Sequence, residues 1–128
     1  MSLHATSLLA GLFSVAMVFL SVQISVRRVK TGNAAFDGGE DRTLRRRVRA
    51  HGNFIEYAPT ALLATGLVEF AAGTTVMVWG LATSFFLSRL VHALGTLYAT
   101  SPAARAGAML VQHAAFLAAG LWLIARAM

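Results

Sequence analysis

Apolar residues run almost unbroken through four windows of this chain, Leu3 to Val26, Asn53 to Ala72, Thr75 to Tyr98 and Ala104 to Ala125, with most of the polar residues between them. Each window reaches the roughly 20 mostly apolar residues that a helix needs to cross a bilayer. The windows use nearly all of the 128 residues. A separate soluble domain has no room, and one transmembrane domain over residues 1–128 is expected. Linkers as short as Gly73-Thr74 force neighbouring helices to run antiparallel. The pattern predicts an all-α protein, an integral membrane four-helix bundle.

The first window has no Lys or Arg before its apolar core and no small-residue cleavage pattern after it, so it reads as a retained helix and not as a signal peptide. Its basic flank follows it. Between Arg27 and Arg49 stand eight of the eleven basic residues against three acidic ones, a net +5 of the total +6. Under the positive-inside rule the first loop is cytoplasmic and both termini lie on the opposite side.

Composition agrees with a membrane setting: the chain is 57% hydrophobic and 12% charged. The basic balance does not point to nucleic acid, because its clustering marks topology and contact with anionic headgroups. The absence of cysteine excludes disulfides and thiolate metal sites, and no metal site is expected. Any thiol chemistry must use a thiol brought in from outside. The one evident flexible loop is Thr31 to Asp41, with Gly32, Gly38 and Gly39.

Within the second window the polar residues are ordered. At 100° per residue, Arg46, Arg49, Asn53, Glu56 and Thr60 fall within an arc of about 80° on one helix face. A charged group in hydrocarbon costs at least ~2.5 kcal/mol, so the stripe must face protein, water or a polar ligand. Interhelical glue would explain Asn53 or Thr60 alone; Arg49, Asn53 and Glu56 together beside a basic loop favour a site. Pro59 lies in the same helix and frees the carbonyl of Ile55, so a kink is expected there. His51 and Glu69 fall about 160 to 180° from the stripe centre. Glu69 is expected to reach headgroups near the helix end, and His51 to anchor at the interface.

The third window carries Arg89, with His92 and Thr96 on the same face. An intramembrane arginine needs a partner, and Glu56, at similar depth on an antiparallel neighbour, is the expected one. A lone histidine such as His92 is more often structural than catalytic. The fourth helix opens at Ser101-Pro102, an N-cap followed by proline at the first position, and places Arg105 in its opening turns. A cation there opposes the helix dipole, by ~0.3–1 kcal/mol when exposed. Arg105 is therefore either a topology charge or part of an anion site at the helix start.

The segment Arg46 to Pro59, R-x-x-R-A-H-x-N-x-x-E-Y-x-P, resembles the signature of the MAPEG family, the membrane-associated proteins in eicosanoid and glutathione metabolism. Its members include microsomal glutathione transferases, leukotriene C4 synthase and prostaglandin E synthase. The basic end of helix one, the Arg89-Leu90-Val91-His92 segment and the arginine opening helix four agree in order, so the resemblance covers nearly the whole chain. The "DGG" and "AHGNFIEY" wording looks most like the small bacterial branch.

The resemblance implies a homotrimer in a bacterial inner membrane, with glutathione as co-substrate in a cleft between subunits near the cytoplasmic face. Arg49, Asn53, Glu56 and Tyr57 match its glutathione-binding positions, and Arg27 or Arg28 matches an arginine reaching across from the neighbour. His51 matches a position that touches the peptide, although helical spacing puts it opposite the stripe. Arg105 matches the arginine that stabilises the thiolate; Arg46, Arg89 and His92 complete the candidate set. A free thiol has a pKa of ~8.5, and each unit of lowering needs about 1.4 kcal/mol of preference for the anion.

The chain also departs from the family pattern. Ala106 stands where prostaglandin E synthase has serine, and His92, Thr96 and Met109 replace family tyrosines. These argue against prostaglandin or leukotriene synthesis and for a general transferase or peroxidase acting on a lipophilic electrophile or hydroperoxide. The alternative is a small membrane transporter or a non-catalytic structural membrane protein. Small multidrug exporters usually hold an acid in the first helix, and this first helix has none.

Overall fold

Four helices dominate the described residues, 2–99 and 101–128, of the computed structural model: α1 (His4–Thr31), α2 (Arg42–Ala72), α3 (Val76–Leu97) and α4 (Pro102–Ala127). Helices α2 and α3 form the central pair. Each packs on the other and on both outer helices, while α1 and α4 do not meet among the described residues. The outer faces carry exposed aliphatic side chains, with Val15 72%, Leu63 67% and Leu110 71% exposed. Apolar surface of this extent fits a lipid environment, not water. The chain is an integral membrane protein built as a four-helix bundle.

Three of the helices, α1, α3 and α4, are long and apolar enough to span a membrane unaided. The second apolar window, expected to qualify with them, does not, because Glu56, Thr60, Thr65 and Glu69 dilute it. Its central position compensates by placing other helices against much of its surface. Aromatic contacts help fill the core, Phe13 lying edge-on to Phe54 at 5.2 Å and Phe85 tilted on Phe116 at 4.7 Å. Helix α2 runs through Pro59 without a break.

Both helices flanking the first loop extend beyond their apolar windows. Helix α1 continues to Thr31 and ends on Gly32, whose φ of 63° supplies the left-handed turn. Helix α2 begins at Arg42 because Asp41 caps it, accepting from the N–H groups of Thr43 and Leu44 at 3.0 and 3.1 Å. The same carboxylate takes two bonds from Arg27, at 2.8 and 3.2 Å. The Arg27 guanidinium, with the Leu44 amide, holds the Asp41 carboxyl below its ordinary range, so the tether stays charged near neutral pH. Arg47 donates to the carbonyl of Gln23 at 2.6 Å, a second link between the two helices.

Gly38 closes this loop against α2 with a φ of 95°, and a Cβ there would lie 2.6 Å from the backbone nitrogen of Arg45. Gly38→Ala is therefore expected to lower stability by about 1–3 kcal/mol, measured by thermal unfolding in detergent. An unchanged midpoint would show that the loop adapts freely.

Two expectations at helix ends need correction. Glu69 does not reach headgroups: it is 1% exposed. Its carboxylate accepts from the N–H of Ala5 at 3.0 Å, and from the N–H and hydroxyl of Thr6 at 2.8 and 2.6 Å. Thr74 donates a further bond at 2.6 Å. The start of α1 has no local side-chain cap, and Glu69 supplies one from α2. Ser101 occupies the N-cap position of α4 with Pro102 following, but its hydroxyl makes no capping bond.

Candidate functional site

On the α4 side of the central pair, at the end that carries the basic loop, the bundle opens into a polar cleft of about 470 Å³. Helix α2 contributes Arg46, Arg49 and Asn53, which recur at helical spacing and share one face. Helix α3 contributes His92 and Thr96, one turn apart, with Ala99 beyond its end. Arg105 completes the lining from the first turn of α4. Three guanidinium groups and no carboxylate face this space, a charge pattern suited to an anion. The Arg105 Nε is buried without a partner, beside a helix N-terminus whose amides favour negative charge.

Beneath the cleft lies Arg89, 2% exposed. The expected partner, Glu56, is not there: Glu56 is exposed on α2 and makes no bond to Arg89. Instead Arg89 donates through Nη1 to Asn53 Oδ1 at 2.7 Å and contacts Met109 Sδ through Nη2 at 3.0 Å. Its guanidinium carbon sits 4.8 Å from the centroid of the Tyr57 ring. Three residues along a helix rotate a side chain by about 60°, and that turn carries Glu56 away from α3 while Asn53 faces it. Arg89 Nε has no partner. Among the described residues no carboxylate neutralises this buried charge, which is held by an amide oxygen, a sulfur and an aromatic face.

Arg89 also borders a second, apolar groove of about 330 Å³ on the α1 side. Leu12, Val15 and Phe19 of α1 face Phe86, Leu90 and Leu94 of α3 across it. The Arg89–Asn53 pair thus stands between a polar cleft and an apolar one.

The structure brings Arg46, Arg49, Asn53, His92 and Arg105 together, with Arg89 and Tyr57 directly beneath through their contacts. Tyr57 also packs edge-on to His113, at 6.1 Å. It does not bring Arg27, Arg28, His51 or Glu56 to the cleft lining. Arg27 is engaged by Asp41; Arg28 donates to the carbonyls of Ala35 and Phe36 and keeps a buried Nε without a partner. His51 is half-buried on α2.

Sequence reasoning did not single out Gln112. It is fully buried on α4, accepts from Ser88 at 3.5 Å and leaves its Nε2 unpaired. The available signal was its spacing of two turns from Arg105 within an otherwise apolar run.

The family model described as "MAPEG family" matches residues 6–125, nearly the whole chain. No curated protein and no solved structure matches it.

Proposed function

The chain belongs to the MAPEG family, and from that premise we propose that it is a glutathione-dependent membrane transferase or peroxidase. The observation that carries this reading is the cleft with Arg46, Arg49 and Arg105 in its walls and no acid among them. Its volume lies in the range of small-ligand sites. Glutathione carries two carboxylates, which arginine pairs bidentately. The partnerless Nε of Arg105, at the start of α4, is the group placed to stabilise a thiolate. The thiolate attacks a lipophilic electrophile or hydroperoxide that arrives through the bilayer.

Glu56 and Thr60 support the homotrimer. Both are exposed on α2 of a lone subunit, where a charge left in lipid costs at least ~2.5 kcal/mol. A neighbouring subunit covers them, and Glu56 then faces the tripeptide's ammonium group. Arg27 or Arg28 of the neighbour reaches across to the tripeptide, Arg27 being held by Asp41 and Arg28 by the carbonyls of Ala35 and Phe36 in the free subunit. The basic loop faces the cytoplasm of a bacterial cell, the termini face away from it, and the 128 residues act as one domain.

Titrating the detergent-solubilised protein with glutathione tests this. Binding is expected with ultraviolet thiolate absorbance, which Arg105→Ala removes. No binding and no absorbance would discard the reading.

A further inference from the structure

A thiol that ionises gives its proton to solvent or to a base beside it, and the cleft offers few bases. Guanidinium groups such as those of Arg46, Arg49 and Arg105 stay protonated in proteins. The Asn53 amide is no base, and the Thr96 hydroxyl is occupied, donating to the carbonyl of His92 at 2.8 Å. Among the lining side chains only the His92 imidazole carries a basic nitrogen lone pair. Its ring makes no hydrogen bond to another described residue, although the bond from Thr96 ties down its backbone carbonyl. Half-buried and facing the same space as Arg105, it has a free ring edge and a place to use it.

We infer that His92 is the proton acceptor of this cleft, taking the proton of the glutathione thiol while Arg105 holds the sulfur anion. This deepens the reading above and rests on it. The S–H bond breaks, an N–H bond forms on the imidazole, and the electron pair stays on sulfur. Charges facing the ring come from Arg46 and Arg49 on α2, Arg105 on α4 and Arg89 one turn back on α3; no acid lines the space. The transfer converts thiol and imidazole into thiolate and imidazolium, so the net charge of the cleft does not change. When the thiolate adds to an activated alkene, the C–S bond forms and the resulting carbanion recovers the proton from His92. When it displaces a halide, the halide departs and the proton leaves to water.

The test compares the wild-type protein with His92→Gln and His92→Ala. Glutathione affinity is read by calorimetry, thiolate by absorbance, and turnover with an activated aryl halide over a range of pH. Expected for His92→Gln are affinity within about threefold of wild type and turnover at neutral pH lower by about 10²-fold or more, the usual share of a positioned base. Turnover should recover as pH rises, because hydroxide replaces the missing base. Added imidazole should restore activity to His92→Ala, which a structural role would not allow.

A wild-type pH profile in His92→Gln overturns the inference and leaves the glutathione reading intact. So does lost affinity in His92→Gln without imidazole rescue of His92→Ala. Failure of the wild-type protein to bind glutathione overturns both.

Discussion

Glu69→Ala is expected to destabilise the protein by about 3 kcal/mol or more, the largest loss from any single side-chain truncation near the ends of its helices. One carboxylate satisfies two backbone N–H groups at the start of α1 and two threonine hydroxyls. Hydrogen bonds to a charged group contribute about 1.5–3 kcal/mol each, and the amides left behind lie where water is scarce. Glu69→Gln keeps one acceptor oxygen but turns an amide donor toward other donors, so its loss falls between wild type and alanine. Thr74→Val removes one bond and costs about 1 kcal/mol. Reversible unfolding in mixed lipid–detergent micelles measures the series. A Glu69→Ala protein within 1 kcal/mol of wild type would show that α1 does not depend on this cap. The order matters for function because this cap and the Asp41 and Gln23 links at the other end are the polar ties that add to the packing of α1 on α2 and α3.

Element number and type were legible because apolar length alone sets them. The helix ends were not, since α2 starts where Asp41 caps it and not where its apolar run begins. The polar stripe on α2 was visible as a face, and Arg46, Arg49 and Asn53 do share one cavity. Spacing along one helix says nothing about which neighbour lies opposite, however. Spacing therefore pairs Glu56 with Arg89 where the structure has Asn53, and sends Glu69, on the opposite face, to headgroups where the structure has it cap α1. That Arg105 of α4 and His92 of α3 line one cavity is a property of the packed structure. Gln112 shows the same limit: a single amide in an apolar helix has meaning only once Ser88 is beside it.

Arg89 is expected to behave unlike an ion-paired arginine. A buried charge whose partner is a carboxylate loses stability whichever side is removed. Here the partners are Asn53, Met109 and the face of Tyr57, and Nε has none. Desolvation of the guanidinium is therefore poorly offset by these contacts, and replacing buried charges by apolar groups of similar volume is often neutral or stabilising by about 1–4 kcal/mol. Arg89→Met should accordingly unfold no earlier than wild type, whereas Arg89→Ala, which also leaves a cavity, should unfold earlier. Glutathione affinity should move the other way in Arg89→Met, falling because Asn53 loses the bond that orients its amide at the cleft wall. A double-mutant cycle separates the partners: Arg89→Met with Asn53→Leu should show a coupling of about 0.5–3 kcal/mol, and Arg89→Met with Glu56→Gln should be additive within about 0.5 kcal/mol. Coupling to Glu56 larger than coupling to Asn53 would mean that the charge of Arg89 is neutralised by an acid after all. The cleft would then lose the positive floor that distinguishes it from a passive seam between helices.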